Sequence, residues 1–436
     1  YPEQSGIFYG YSYAYIRNAN DIRLFASLSE RAGYTIITFN TNTSTVSVKK
    51  DLEGVTYKKG QEITLLELCD IIDNIDNAFD KYFEEAKINK PRAKRMCGYT
   101  TWYNYYTSVT EEIVERDLEA IAKLGSKIDI FQVDDGYERT VGDWLYHDEK
   151  KFPSGMKLIA DNIHKNDMLA GLWLAPFAAT PKSYIYNKHK DWFVKNKNDK
   201  IPFASHNWGG FYALDIYNNE VRQYLKEVFD TVLNVWGYDM VKLDFLYACC
   251  IIPFNGKSRG EIMCDAMDLI RELCGDKLIL GCGVPLAPAF GKVDFCRIGA
   301  DMALSWGKKP FSREDVSTKH ALLNTIFRRE LDGRAFLNDP DVFLLRDNNI
   351  KMSFEQRKLI AETASLFGNL LFVSDDVSTY NNNQKDCFIN VTTRNKADIN
   401  YVNMDSDGDI SIKYTLDGEK KGYCFNINSG DKKVLI

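Results

Sequence analysis

Hydrophobic and polar residues follow three different patterns along the 436-residue chain. The first pattern consists of short runs of β-branched and aromatic residues separated by turn residues, which predicts antiparallel strands. These runs cover residues 6–11, 23–27, 34–39 and 45–48. Apolar residues at helical spacing then extend from 65 to 88 and predict a helix. We therefore expect residues 1–94 to form a β-rich domain, part of a β-sandwich, that ends in a linker helix.

The second pattern begins at Arg95 and repeats a strand followed by a helix. The eight strand candidates are 96–100, 127–133, 169–174, 240–244, 278–281, 295–298, 335–337 and 371–373. Helical spacing occurs at 110–124, 220–236, 257–274, 318–330 and 354–367. Eight such units predict an α/β fold, the (β/α)8 or TIM barrel, whose active site lies at the carboxyl ends of the strands. We assign residues 95–376 to this barrel and expect 177–215 to form a loop over the site.

The third pattern is a return to β alternation after Asp376. It predicts a small antiparallel β domain over residues 377–436, because alternation of period two places one face of each strand against a core. The fold class expected from the whole chain is thus a TIM barrel between an N-terminal β-sandwich remnant and a C-terminal antiparallel domain.

Composition and charge narrow the classes of function. The chain is 45% hydrophobic and 27% charged, which is typical of a soluble globular protein. A net charge of −6 gives no electrostatic footprint for nucleic acid or an acidic membrane, and no apolar run is long enough to span a bilayer. The ten cysteines are scattered without a CxxC pair, and the five histidines form no HExxH motif. These features favour reduced thiols in a cytoplasmic protein and no metal site, although a leader could have preceded Tyr1.

Candidate chemistry collects where the predicted strands end. The polar and aromatic residues at these ends are Trp102, Asp134, Asp135, Trp173, Lys242, Asp244, Cys282, Arg297, Asp301, Asp339 and Asp341. Carboxylates accept pairs of hydroxyl donors, indoles pack on the C–H face of a sugar, and cations keep neighbouring carboxylates ionised. The set therefore suits a polyhydroxylated ligand.

Most of these residues also have an ordinary structural explanation. Lys242 and Asp244 lie two positions apart on one strand face and could form a buried salt bridge. Asp301 could cap a helix, and Asp134 and Asp135 could occupy the first turn of one. A tryptophan at a barrel rim often serves packing alone. Only the whole set of residues at the strand ends points to a functional site.

The motifs at the strand ends resemble those of the family 36 glycoside hydrolases, the bacterial α-galactosidases, and more distantly those of family 27. The matching segments are 133–137, 171–177, 212–215, 241–245, 281–283, 297–301 and 338–341. They span the barrel from about 95 to 376. The resemblance implies an exo-acting, retaining α-galactosidase that needs no metal or other cofactor and acts on melibiose- or raffinose-type oligosaccharides.

The resemblance also implies roles for individual residues. Asp244 corresponds to the nucleophile and Asp301 to the acid/base, which in retaining enzymes lie roughly 5–5.5 Å apart. We expect Lys242 to hold Asp244 ionised, and a less polar setting near Ala300, Met302 and Trp306 to keep Asp301 protonated.

The resemblance assigns the remaining positions to the sugar. Asp134 and Asp135 correspond to acceptors for the galactose 4- and 6-hydroxyls, and Lys242 reaches the 3- and 4-hydroxyls. The remaining assignments are Arg297 on the side of the 2-position, Trp102 and Trp173 as pocket walls, Cys282 and Gly283 beside the 2-substituent, and Asp341 as a support for Arg297.

Three alternatives stay open at this stage. The small segment at Cys282 and Gly283 could admit an N-acetyl group, which would make the chain an α-N-acetylgalactosaminidase. A galactosyl-transferring enzyme of the raffinose-synthase kind is compatible with the same motifs. A non-catalytic sugar-binding barrel and a metal-dependent hydrolase are less favoured, and assembly into a homo-oligomer is possible.

Overall fold

The computed structural model describes residues 4–18, 21–307 and 316–435. Its N-terminal part contains two three-stranded antiparallel sheets. One sheet is formed by Ile7–Tyr11, Thr35–Asn40 and Thr45–Lys50, the other by Tyr13–Asn18, Asp21–Ser27 and Leu68–Asn74. The antiparallel N-terminal region predicted from the alternating pattern is thereby confirmed.

The helix predicted from residue 65 is wrong in its first half. Leu68–Asn74 is a strand that pairs with Asp21–Ser27, and the helix covers only Ile75–Glu85. Cys69 and Ile71 are buried, whereas Asp70 and Ile72 are exposed, so buried and exposed side chains alternate as they do in a strand. The Asn74 side chain then accepts from the N–H of Asn77 at 3.0 Å and starts the helix.

The centre of the molecule is the predicted barrel. Its parallel strands are Met96–Thr100, Ile130–Val133, Leu169–Leu174, Met240–Leu243, Leu278–Gly281, Phe295–Arg297, the split strand Leu337–Asp339 with Val342–Phe343, and Leu370–Val373. We number them one to eight in chain order. These strands lie side by side in one sheet, and their side chains are almost all buried because helices cover the outside.

The seventh strand closes the ring in two halves. Leu337–Asp339 pairs with strand six, Val342–Phe343 pairs with strand eight, and Pro340 and Asp341 lie between the halves. Asp341 has a left-handed φ of 78°, which changes the direction of the chain between the two halves. The N–H of Asn369, just before strand eight, donates to the carbonyl of Asn338 at 2.9 Å, so both neighbours of strand seven are connected through it.

Amphipathic helices surround the barrel. The longer ones are Glu111–Ala122, Met156–His164, Asn219–Asp230, Arg259–Cys274, Thr318–Phe327, Phe354–Phe367 and Asn382–Thr393. Asn219–Asp230 illustrates why they form: Val221, Leu225 and Val228 recur at helical spacing and are fully buried, and the Asn218 side chain caps the first turn.

The segment after strand eight differs from the expectation. The β alternation predicted from residue 377 begins only at Asp398, because Asn382–Thr393 is a helix. The Ser365 hydroxyl of the preceding barrel helix donates to the carbonyl of Val391 at 2.8 Å, so this helix belongs to the outer layer of the barrel. The C-terminal sheet follows as Asp398–Met404, Asp409–Leu416, Glu419–Asn426 and Lys432–Val434, all antiparallel.

The long segment after strand three carries its own small sheet over the barrel mouth. Ala178–Ala179, Phe203–Ser205 and Phe211–Ala213 pair antiparallel, and a short helix, Tyr184–Lys188, lies between the first two. We call residues 177–215 the strand-three insertion. No helix in the described part of the chain has the length and apolar character needed to cross a bilayer.

Candidate active site

Asp134 lies directly after strand two and is held by a buried cation. Lys242 Nζ donates to Asp134 Oδ2 at 2.8 Å, and Gln132 Nε2 donates to the same oxygen at 2.6 Å. Asp134 and Lys242 are 2% and 6% exposed. Burial disfavours the charge on Lys242, but its electrostatic interactions with Asp134, Cys282 and Asp244 together outweigh burial, so the pKa of Lys242 is raised. Lys242 therefore stays charged, and its contact with Asp134 fixes one carboxylate at the mouth.

Asp135 is fixed from the other side by the strand-three insertion. Trp208 Nε1 donates to Asp135 Oδ2 at 2.8 Å. Trp208 has a left-handed φ of 55°, which directs its indole back over the barrel. Burial raises the pKa of the Asp135 carboxyl, and the charges of Asp134 and Asp244 act in the same direction.

Asp244 directly follows strand four and contacts Trp173. Trp173 Nε1 donates to Asp244 Oδ2 at 3.2 Å, and the N–H of Phe245 donates to Oδ1 at 2.7 Å. The expected salt bridge between Lys242 and Asp244 is replaced by the pair with Asp134. The strand ends at Leu243 and Phe245 turns into the left-handed region with a φ of 52°, so Asp244 leaves the face that Lys242 occupies.

Strand five approaches Asp244 very closely. A Cβ placed on Gly283 would lie 3.0 Å from Asp244 Oδ1 and 2.9 Å from the nitrogen of Phe245, and Gly283 itself has a φ of 56°. Only glycine fits both requirements. The neighbouring thiol of Cys282 is buried, which raises its pKa, and it feels the charges of both Asp244 and Asp301. Cys282 is thus close enough to both candidate catalytic carboxylates for their charges to act on its thiol.

Arg297 on strand six forms ion pairs with three carboxylates. Its Nη1 contacts Asp301 Oδ1 at 2.7 Å, its Nε contacts Asp339 Oδ2 at 2.9 Å, and its Nη2 contacts Asp341 Oδ1 at 2.8 Å. Asp341 Oδ2 also accepts from the Tyr103 hydroxyl at 2.5 Å. Burial raises the pKa of Asp341 to about 7, while Arg297 opposes that rise. The sequence-based pairing of Asp341 with Arg297 is present.

Asp301 is more exposed than the sequence suggested. Its side chain is 44% exposed and lies against Arg297 rather than against an apolar wall. The backbone N–H of Met302 donates to Asp341, and the indole N–H of Trp306 donates to the carbonyl of Ile427 at 3.1 Å, directly after the C-terminal strand Glu419–Asn426. A guanidinium, not an apolar surface, is therefore the neighbour of the candidate acid/base in this structure.

The aromatic residues at the mouth form a connected wall. Trp173 is buried, and its ring centroid lies 5.9 Å from that of Trp208, which in turn lies 4.7 Å from Phe245. Trp102 is half-buried at the start of the helix Trp102–Tyr105, and its ring packs on Tyr106 with centroids 5.1 Å apart.

Three contributors were missing from the predicted site: Tyr103, Trp208 and Glu138, a buried carboxyl next to Asp135. Trp208 could have been suspected, because it lies in the segment expected to cover the mouth. Tyr103 and Glu138 carry no sequence signal beyond their nearness to Trp102 and Asp135. Within residues 4–18, 21–307 and 316–435, no group of three or more His, Cys, Asp or Glu side chains is arranged to hold a metal ion.

Comparison with known proteins adds independent findings. A family model described as Melibiase matches residues 56–256. An alpha-galactosidase of Escherichia coli is 23% identical over 239 residues, which cover 52% of this chain and 32% of that protein. The matching part of the chain thus spans about a third of the length of this curated relative.

Solved structures agree in fold over most of the chain. TtGalA, an alpha-galactosidase from Thermus thermophilus in complex with p-nitrophenyl α-D-galactopyranoside, aligns with a TM-score of 0.76 and 24% identity over 94% of this chain and 80% of that one. The GH36 alpha-galactosidase AgaA from Geobacillus stearothermophilus aligns with a TM-score of 0.67 and 15% identity over 98% of this chain and 64% of that one. With the melibiase match and the curated relatives, these findings show that the chain is similar in sequence and in fold to the alpha-galactosidases of glycoside hydrolase family 36.

Proposed function

We propose that the protein is a retaining exo-α-galactosidase that removes terminal α-linked galactose from oligosaccharides of the melibiose and raffinose type. The observation that carries this proposal is the arrangement around Cys282, whose buried thiol feels the charges of both Asp244 and Asp301. Asp244 follows strand four and Asp301 follows strand six, and in this proposal they flank the scissile bond as nucleophile and acid/base. The names of the relatives and the galactoside bound to TtGalA support the same substrate class.

Substrate binding in this proposal uses the fixed carboxylates. Asp134, held by Lys242, and Asp135, held by Trp208, accept hydrogen bonds from the 4- and 6-hydroxyls of galactose. Carboxylates fixed in advance bind a sugar with little loss of side-chain entropy. Lys242 Nζ donates to the 3- and 4-hydroxyls, Arg297 lies on the side of the 2-position, and the indoles of Trp173 and Trp102 wall the pocket.

The chemistry proceeds in two displacements. Asp244 attacks the anomeric carbon and forms a covalent ester, while Asp301 gives its proton to the glycosidic oxygen and the leaving sugar departs as an alcohol. Asp301, now ionised, removes a proton from water, and the resulting hydroxide oxygen displaces Asp244 to give galactose with the original α configuration. The exposed side chain of Asp301 suits this role, because the leaving group and the water both approach from solvent.

Substitution of the two carboxylates tests the assignment. Asp244→Ala should abolish hydrolysis of p-nitrophenyl α-galactoside, and Asp301→Ala should slow it least for substrates with good leaving groups. Added azide should yield β-galactosyl azide from the first variant and α-galactosyl azide from the second. Asp386→Ala, on an exposed helix position, is the control and should behave as the parent. The reverse azide products would exchange the two roles.

Substrate choice needs a separate comparison. We expect the parent to hydrolyse p-nitrophenyl α-galactoside faster than its N-acetylgalactosaminide counterpart; faster release from the latter would assign the alternative activity. Acceptor alcohols should leave free galactose as the main product. Predominant formation of new galactosides would indicate a transferase instead.

A further inference from the structure

The turn that follows Asp135 contains a second buried carboxyl group. Glu138 is 8% exposed, and its Oε2 accepts from the N–H of Gly136 at 3.1 Å. Its backbone forms an antiparallel bridge with His147. The side chain is therefore fixed in position at the base of the candidate site.

One oxygen of Asp135 lacks an ordinary donor. Oδ2 receives the Trp208 N–H, but Oδ1 is buried, and no N–H or hydroxyl group of the described residues donates to it. The carboxyl groups of Asp135 and Glu138 are in hydrogen-bonding contact. Two ionised carboxylates cannot share such a contact, because each disfavours the charge of the other. One proton held by the pair satisfies Oδ1.

The surroundings decide which carboxyl holds that proton. The indole N–H of Trp208 donates to Asp135 and stabilises its anion, whereas the Glu138 carboxyl accepts from the backbone N–H groups of Gly136 and of Glu138 itself. Burial, and then the charge of Asp135, raise the pKa of Glu138 well above its ordinary value.

The other titratable groups around Glu138 are Tyr137 beside it and His147 on the bridged segment. The pKa of Tyr137 is raised by burial, so this side chain stays neutral. The nearby cation, Lys151, donates to the carbonyls of Gly136 and Thr107. The proton therefore belongs on Glu138.

We propose that Glu138 is a positioning residue that, as a neutral acid, donates its proton to Oδ1 of Asp135 and holds that carboxylate toward the sugar hydroxyls. The inference rests on the proposed function, because the role of Asp135 in binding galactose comes from there. Once Glu138 ionises, the two carboxylates repel each other and Asp135 leaves its binding position. Substrate binding then weakens as the pH rises, and KM responds more than kcat.

Two substitutions of similar volume separate donation from packing. Glu138→Gln keeps a donor for Asp135 and an acceptor for Gly136, and cannot ionise. It should retain kcat/KM within about threefold at neutral pH and lose the alkaline rise in KM. Glu138→Leu keeps the volume without the donor and should lower kcat/KM by roughly tenfold to a hundredfold, because a hydrogen bond to a charged group is removed. Glu149→Gln, the same change on an exposed residue nearby, should leave the pH profile of the parent intact.

An activity-independent measurement distinguishes failure of this inference from failure of the proposed function. A carboxyl whose pKa is raised by folding binds more protons in the native state, so its contribution to the free energy of unfolding is lost as the pH rises above the ordinary glutamate range. The midpoint of thermal unfolding of the parent should therefore fall relative to that of Glu138→Gln as the pH rises, while Glu149→Gln follows the parent.

The outcomes are decisive in each case. If the parent hydrolyses no α-galactoside but the unfolding midpoints diverge as described, the proposed function fails and the proton on Glu138 stands. If Glu138→Gln keeps the pH profile of the parent in both kinetics and unfolding, or loses as much kcat/KM as Glu138→Leu, the proposal for Glu138 is overturned.

Discussion

At the scale of single residues, two buried cations organise the carboxylates at the barrel mouth. Lys242 pairs with Asp134, and Arg297 pairs with Asp339 and Asp341. Such buried pairs contribute little net stability when both partners are present, but loss of one partner leaves an uncompensated buried charge. Removal of either partner of such a pair should therefore destabilise the site.

Replacement of Lys242 by Met tests this sensitivity. Asp134 would lose its cation at 3% side-chain exposure, and we expect the free energy of unfolding to fall by about 3–5 kcal/mol, as measured by urea denaturation. Lys123→Met removes a lysine that is 73% exposed and paired with Glu119, so it should cost no more than about 1 kcal/mol. Equal losses in the two variants would contradict a buried, fixed Lys242–Asp134 pair.

Residue types were easier to predict from the sequence than residue partners. The polar residues at the strand ends could be read directly, because carboxyl ends of parallel strands meet at one face. The sequence does not reveal that Lys242 pairs with Asp134 and not with Asp244, since this choice depends on the left-handed turn at Phe245. The same applies to Arg297 beside Asp301, which depends on the course of the chain after strand six.

At the scale of elements, the strand-three insertion contributes a group to the site that the strands do not supply. Its small sheet ends beside Trp208, whose left-handed backbone turns the indole toward Asp135. The same insertion contains Trp192, whose indole donates to Glu220 at 2.7 Å. The two indoles therefore form a matched pair for experiment.

Trp208→Phe removes the N–H from Asp135 but keeps an aromatic ring against Phe245. We expect kcat/KM for p-nitrophenyl α-galactoside to fall roughly tenfold, because a hydrogen bond to a charged acceptor is lost. Trp192→Phe loses an equivalent bond to Glu220 and should keep the kcat/KM of the parent. Similar kcat/KM values for Trp208→Phe and the parent would remove Trp208 from the site.

Prediction of elements worked best where periodicity was unambiguous. The barrel strands were found within a few residues because each is a short apolar run between turns. Strand seven was misplaced since Pro340 and Asp341 break it into two short halves. Leu68–Asn74 was taken for helix because a short apolar run fits either period, and tertiary pairing with Asp21–Ser27 decided for a strand.

At the scale of the whole molecule, the N-terminal and C-terminal β regions contact the segments that follow the two candidate catalytic residues. Tyr34, which directly precedes the N-terminal strand Thr35–Asn40, contacts Cys250, six positions after Asp244, with its hydroxyl 3.5 Å from the sulfur. On the other side, Trp306, five positions after Asp301, bonds the C-terminal sheet through Ile427. The N-terminal and C-terminal parts of the chain thus each contact a barrel segment that follows a candidate catalytic residue.

The central claim is that Asp244 attacks the sugar from this mouth, and trapping of the covalent intermediate tests it most directly. A 5-fluoro-α-galactosyl fluoride carries a good leaving group, and its fluorine slows the second displacement so that the ester accumulates. Peptide mass spectrometry of the treated parent should place one galactosyl adduct on Asp244, with Asp244→Ala unlabelled. An adduct on another residue, or hydrolysis of α-galactosides without any adduct, would contradict the account.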